Sequence, residues 1–98
     1  MNKTIWKIAL EITDGQRILV PIGAQTLTVQ TQNGKPVLWI LVDPLAEKEI
    51  RTIEIFGTGN PIPLDQGTYR KYIATIQVEG RRGSGDILAF HVIENHNK

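Results

Sequence analysis

Apolar and polar residues alternate over much of this chain, which is the pattern of strands that bury one face. In the first such segment, Thr4 to Ile12, the even-numbered positions after Thr4 are all apolar. Gln16 to Val20 is a second short segment, and Pro21 limits it because proline has no N–H to give to a sheet. The later segments predicted as strands are the two arms of a hairpin within residues 26–42, and residues 50–56, 69–79 and 86–94.

The strongest local signal is the hairpin between Thr26 and Val42. Asn33 and Gly34 lie where the chain should reverse, and both residues tolerate the positive φ that a type I′ turn requires. The second arm, from Val37 to Val42, is almost continuously apolar. This run predicts burial on both faces or a central position in a sheet.

About seven short strands and no long helix predict an all-β fold, either a small antiparallel β-sandwich or a barrel. A chain of 98 residues has room for one domain, residues 1–98, with a frayed tail over 95–98. The longest irregular stretch, Gly57 to Thr68, contains three glycines and two prolines and is expected to be functional or mobile. Because exposed sheet edges favour aggregation, we expect one edge to be covered by this loop or used in a homo-oligomer.

The composition excludes several classes of partner and chemistry. Eleven Lys and Arg residues against ten Asp and Glu give a net charge of +1 without a block of either sign, which argues against duplex nucleic acid or a membrane surface as a partner. The absence of cysteine removes disulfides, thiolate metal sites and cysteine nucleophiles. Lys3, Lys7 and Glu11 interrupt the apolar residues near the N-terminus, so we expect no secretory signal and a cytoplasmic protein.

Two stretches could bind an anion. Gly57-Thr58-Gly59-Asn60 follows a predicted strand, and its backbone N–H groups could face a phosphate or carboxylate because glycine has no Cβ. An ordinary tight turn explains the same glycines and is their commoner use. Arg81 and Arg82 lie between glycines at a predicted hairpin tip, where two guanidinium groups could bind an anion in bidentate geometry. A solvated, charged turn is again the commoner explanation.

Aromatic residues offer surfaces for the core or for a ligand. Trp39 is predicted to be buried, whereas Trp6, near the start of the chain, could line a ligand pocket or a subunit contact. Residues 69–72 interleave two tyrosines with two basic residues, as a base-stacking surface would. Alternation argues against a single patch, because it places Tyr72 toward the core and Lys71 toward solvent.

No catalytic set is visible in the sequence. His91 is expected to be a hydrogen-bonded, partly buried structural residue, and neither His91 nor His96 belongs to a group with the spacing of zinc ligands. Ser84 is the only serine, and no Asp-His pair can be assigned to it. We therefore predict that the protein is not an enzyme and has neither a metal site nor a cofactor.

A set of short patterns runs through most of the chain. Its members are Thr4-Ile5-Trp6-Lys7, Gln16, Gln32-Asn33-Gly34, Leu38-Trp39, Val42-Asp43-Pro44, Arg51-Thr52, Gly57-Thr58-Gly59, Tyr72-Ile73 with Thr75, and His91-Val92 with Glu94. Together they resemble a family of small proteins encoded mainly by bacteriophages and prophages and described as having no known function. The chain departs from the family pattern at Asn60, Ala74 and Ile93, where histidine, glycine and an aromatic residue are expected. Asn60 therefore does not supply the imidazole that the family pattern has at this position.

The resemblance implies a phage setting, in which small proteins without a catalytic set often act by binding. We expect a counter-defence protein, present in the cytoplasm of the bacterial host, that sequesters an immune nucleotide such as a cyclic oligonucleotide or an ADP-ribose derivative without cleaving it. A pocket between the subunits of a homo-oligomer would enclose such a ligand. The residues expected to bind it are Trp6, Arg51, Gly57, Thr58, Gly59, Asn60, Arg81 and Arg82.

Two other functions fit the same sequence. The protein could be an interaction module that inhibits a host protein or serves phage assembly or replication, using a strand edge or the long loop. Single-stranded nucleic acid could bind a small barrel, although a net charge of +1 argues against it. Substitution of the predicted ligand-binding arginines would distinguish the interaction module from a nucleotide-binding protein.

Overall fold

A computed structural model describes residues 2–64, 67–80 and 85–97 of the chain. Within these residues there are seven strands and no helix, so none that could span a membrane. The strands are β1 (Thr4–Ala9), β2 (Gln16–Pro21), β3 (Gln25–Gln32), β4 (Lys35–Val42), β5 (Lys48–Gly57), β6 (Thr68–Glu79) and β7 (Ile87–Asn97). The predicted all-β class with about seven strands is confirmed.

The strands form two antiparallel sheets. The smaller sheet has the order β1-β4-β3, and the larger sheet has the order β2-β5-β7-β6. The fold is therefore two packed sheets, and the described strands do not close into a barrel. The nearly continuous apolar run of β4 is explained by its central position in the smaller sheet, as the sequence predicted.

The core lies between the two sheets. Leu38 and Ile40 of β4 and Ile53 and Val92 of the larger sheet have no exposed surface, and all four belong to one apolar cluster. We call the side of the larger sheet that carries Ile53 and Val92 its inner face, and the opposite side its outer face. Successive side chains along each strand then alternate between these two faces.

The hairpin turn between β3 and β4 has the predicted geometry. Asn33 has φ 53° and Gly34 has φ 78°, so both central residues are in the left-handed region that a type I′ turn requires.

Replacement of Gly34 by alanine is expected to lower the free energy of unfolding by about 1 kcal/mol, because a Cβ is unfavourable at positive φ. Urea unfolding would measure the difference. Gly15→Ala is the matched control, since Gly15 has no positive φ and a Cβ added there would meet nothing within 4 Å. Equal losses in the two variants would contradict this account of the turn.

A β-bulge in β6 overturns the predicted facing of its first residues. The register passes from Tyr72 opposite Ile93 to Ala74 opposite Val92, which leaves Ile73 as an extra residue. Tyr72 therefore lies on the outer face and is 53% exposed, whereas the alternation of Tyr72 with Ala74 had predicted that it faces the core. Lys71 lies on the inner face for the same reason, not on the side predicted from alternation.

Three further predictions differ from the structure. The tail does not fray at Asn95, because β7 continues to Asn97 and Asn95 pairs with both neighbouring strands. The strand predicted over residues 50–56 is longer, because β5 begins at Lys48 and includes Glu49. Trp39 is half-buried, with Lys7 Nζ 6.0 Å from its ring centroid, because it lies on the side of β4 that faces away from the core.

The irregular stretch after β5 lies against the outer face of the larger sheet. Arg70 joins the two: its Nε donates to Glu54 Oε1 at 2.8 Å, and its Nη1 donates to the carbonyl oxygen of Pro63. Asn95 Nδ2 donates to Glu54 Oε2 at 3.2 Å. These contacts hold the described part of the loop near three paired strands.

Candidate functional site

A polar cleft of about 360 Å³ lies between the two sheets, where the start of β3 approaches the inner face of the larger sheet. Its lining residues are Ala24, Gln25, Thr26, Glu49, Arg51, Lys71, Glu94 and His96. We call it the inter-sheet cleft. Its volume is within the range of pockets that hold small molecules.

The register explains why charged side chains line this cleft. Arg51 lies opposite Ile18, and Glu94 lies opposite Ile53 and Lys71. Because directly paired residues share a face, these polar positions continue the inner face that elsewhere forms the core. The cleft is therefore the polar end of the same surface.

Arg51 and two carboxylates form its floor. Arg51 Nη2 and Nε donate to Glu49 Oε2 at 2.9 and 3.1 Å, and Arg51 Nη1 donates to Glu94 Oε2 at 3.2 Å. The side chain of Glu94 is only 2% exposed, and a buried carboxylate needs such a partner. Arg51 therefore holds the floor together through bonds that a phosphate would have to displace.

The basic side chains more accessible to a ligand are those of Lys71 and His96. Lys71 is exposed and makes no ion pair within the part of the chain that the structure describes. His96 is 42% exposed, and its Nε2 lies 3.1 Å from Glu94 Oε2. The ring of Tyr69 lies 5.7 Å from that of His96, and Tyr69 itself is 59% exposed. A cation, an imidazole and an aromatic ring thus share one end of the inner face.

Tyr69, Lys71 and His96 are not among the ligand-binding residues predicted from the sequence. The signal that could have found the first two is the interleaving of tyrosines and basic residues over 69–72. Simple alternation places Lys71 in solvent, whereas the bulge after Tyr72 places Tyr69 and Lys71 opposite His96 and Glu94 on the inner face.

The glycine-rich stretch forms a turn whose N–H groups are largely used. Asn60 N–H donates to the carbonyl of Gly57 at 3.0 Å, and Gly59 has φ 90°. Thr58 N–H donates to the carbonyl of Ala89 at 3.2 Å. These bonds support the tight-turn interpretation of the glycines and leave little of the loop for an anion.

The predicted ligand-binding residues do not form one site. Arg51 and Gly57 lie near opposite ends of β5, roughly 20 Å apart at the rise of a strand. Trp6 belongs to β1 in the other sheet, where it packs against the core with Lys48 Nζ 5.5 Å from its ring centroid. Arg81 and Arg82 lie outside the residues that the structure describes. Of the predicted residues that the structure describes, only Arg51 lines the inter-sheet cleft.

One protein-family model matches the whole chain, residues 1–98. The chain belongs to DUF7352, a domain of unknown function. No curated protein and no solved structure matches it. For this DUF7352 protein, the phage setting implied by the sequence resemblance stays a prediction.

A second polar cluster of the DUF7352 chain lies on the outer face, at the far end of β5 from the inter-sheet cleft. His91 is half-buried, with Nε2 2.7 Å from Thr58 Oγ1 and Nδ1 2.7 Å from Tyr72 Oη. Tyr72 Oη is also hydrogen-bonded to Thr75 Oγ1. His91 is thus hydrogen-bonded and partly buried, as the sequence predicted. No group of three or more potential metal ligands occurs among the described residues here or elsewhere.

Proposed function

We propose that this protein binds a small anionic ligand of the nucleotide class in the inter-sheet cleft, without converting it. The observation that supports this function most is the combination of an open cleft of about 360 Å³ with two accessible basic side chains at its wall, Lys71 and His96. Clefts of this size with a few placed polar groups are a common form of small-molecule site.

The charges of the cleft favour an anion at one point. Glu49 and Glu94 are already paired with Arg51, so Lys71 is the cation left for a phosphate, with His96 beside it. Tyr69 lies next to His96 and presents an aromatic face on which a base can stack. The hydroxyl of Thr26 and the amide of Gln25 supply neutral hydrogen-bonding groups on the opposite wall.

The biological role that we propose rests on the resemblance to phage-encoded proteins. In that setting the ligand is a host immune nucleotide, a cyclic oligonucleotide or an ADP-ribose derivative, and the protein is a counter-defence binder in the host cytoplasm. As a homo-oligomer, it would enclose the ligand between subunits at the open side of the cleft.

Thermal unfolding with a panel of cyclic dinucleotides, cyclic trinucleotides and ADP-ribose derivatives tests the proposal. A ligand at a hundred times its Kd is expected to add about 2.7 kcal/mol of stability, which corresponds to a rise in Tm on the order of 10 °C for a domain of this size. Recovery of the intact ligand after denaturation is expected.

Two variants assign that shift to the cleft. Lys71→Met should abolish most of the rise in Tm, whereas Lys35→Met, which removes an exposed lysine outside the cleft, should leave it unchanged. The absence of a shift with every compound would contradict nucleotide binding. Cleavage of a bound compound would contradict binding without turnover.

A protein-interaction module is the second candidate function. Leu19 of β2 and Ile50 of β5 lie directly opposite each other on the outer face, and each is 61% exposed. Ile22, just after β2, is 52% exposed. An apolar group at an edge strand fits a partner protein that docks there. If Leu19→Lys abolishes activity during infection and Lys71→Met does not, this function replaces ligand binding.

A further inference from the structure

Thr58, His91 and Tyr72 form a continuous chain of hydrogen bonds that the proposed ligand site does not use. The three side chains come from the turn after β5, from β7 and from β6. His91 is in the middle, with its two ring nitrogens each 2.7 Å from a hydroxyl oxygen. Two hydroxyl groups therefore flank one imidazole. In this arrangement the imidazole can activate one of the hydroxyls as a nucleophile.

Two proton arrangements of His91 fit these hydrogen bonds. A neutral imidazole donates from one nitrogen and accepts at the other. If Nδ1–H donates to Tyr72 Oη, then Nε2 accepts the hydroxyl proton of Thr58 at 2.7 Å, and Tyr72 can donate to Thr75. In the other tautomer Nε2–H donates to Thr58 Oγ1 over the same 2.7 Å, and the hydroxyl of Thr58 donates to the carbonyl of Ala89 at 3.3 Å. Only in the first tautomer does Nε2 carry the lone pair that a general base needs.

We propose that Thr58 is a nucleophile that accepts an acyl group from an activated ester, with His91 as its general base. Thr58 is an exposed residue in the turn after β5. Gly59 is the residue after the nucleophile, and its N–H makes no hydrogen bond to another residue of the described ranges. A free backbone N–H at that position is a suitable donor to the oxyanion that develops on the carbonyl.

The step conserves atoms and electron pairs. A bond forms between Thr58 Oγ1 and the carbonyl carbon, while the hydroxyl proton passes to His91 Nε2. The tetrahedral intermediate then collapses, and the bond to the alcohol or phenol breaks with its electron pair on the leaving oxygen. That oxygen takes the proton from His91 or leaves as an anion, in which case His91 returns its proton to water. The product is an ester of Thr58.

This site is independent of the proposed function. It lies on the outer face, whereas the cleft lies on the inner face, and the two sites share no residue.

The probe is p-nitrophenyl acetate. We expect a burst of about one p-nitrophenolate per chain and an acetyl group on Thr58, located by peptide mass spectrometry. Thr58→Ala should abolish the burst, Thr58→Ser should retain it, and His91→Gln should slow it on the order of a hundredfold. The matched control is Thr13→Ala, because Thr13 is another exposed threonine outside a strand but makes no contact with a histidine.

Tyr72 is a positioning residue and needs a separate readout. Tyr72→Phe should change the ¹⁵N shifts of the His91 ring toward a mixture of tautomers and alter the pH profile of the burst, without removing the acetyl group from Thr58. In the unmodified protein the same shifts should show protonated Nδ1. Protonated Nε2 in the neutral ring, acetylation confined to lysines, or an unchanged burst in Thr58→Ala would each overturn the proposal.

Discussion

Replacement of Arg51 by methionine is expected to lower the free energy of unfolding by about 3 kcal/mol or more. The cause is Glu94, whose side chain is 2% exposed and whose Oε2 accepts from Arg51 at 3.2 Å. Without the guanidinium, the buried carboxylate loses the donor that lies 3.2 Å from its Oε2 and keeps His96 Nε2 at 3.1 Å, a neighbour that is charged only when protonated. Urea unfolding followed by tryptophan fluorescence would measure the loss.

The double variant Arg51→Met with Glu94→Leu is expected to recover most of that loss, because a buried ion pair replaced by packed apolar groups is close to neutral in stability. Arg17→Met is the control, since Arg17 is exposed on β2. If Arg51→Met and Arg17→Met have the same stability, Arg51 does not hold the cleft floor. A double variant that is less stable than Arg51→Met would equally contradict the explanation.

Replacement of Leu38 by alanine is expected to destabilise the protein by about 3 kcal/mol through lost apolar contacts and the cavity that remains. Leu38 has no exposed surface, and its strand β4 is the middle strand of the smaller sheet, so few neighbours can move to fill the space. The midpoint of urea unfolding should fall accordingly, with an unchanged slope.

Leu45→Ala is the matched control for Leu38→Ala. Leu45 is 89% exposed, and its truncation should change the free energy of unfolding by less than about 0.5 kcal/mol. A loss at Leu38 no larger than the loss at Leu45 would mean that the core does not lie where the two sheets meet.

Local chemistry made much of the fold predictable. Asn33 and Gly34 specify their turn through their own tolerance of positive φ. The apolar run of β4 reports the burial of that strand, and alternation elsewhere identifies the remaining strands. These features depend on residues that are close in sequence, which is why a single sequence reveals them.

The candidate site depended on pairings that the sequence does not encode locally. Glu94 and Arg51 meet only because β5 and β7 are neighbours in a particular register. Lys71 reaches the same cleft only because Ile73 is an extra residue in β6. Arginine is a common anion ligand, which is why the sequence points to Arg51. Glu49 lies two residues away on the same face of β5, but the pairing of Arg51 with Glu94 cannot be foreseen without the strand order.

The bulge at Ile73 also limits how this chain can change in evolution. Deletion of this one residue would move each side chain at the start of β6 to the opposite face of the sheet. Lys71 would leave the cleft, and Tyr72 would no longer contact His91. Substitutions around Ile73 alter one side chain at a time, but an insertion or deletion there would dismantle both polar clusters in one event. We therefore expect the number of residues in this part of β6 to vary less among related proteins than the residue types do.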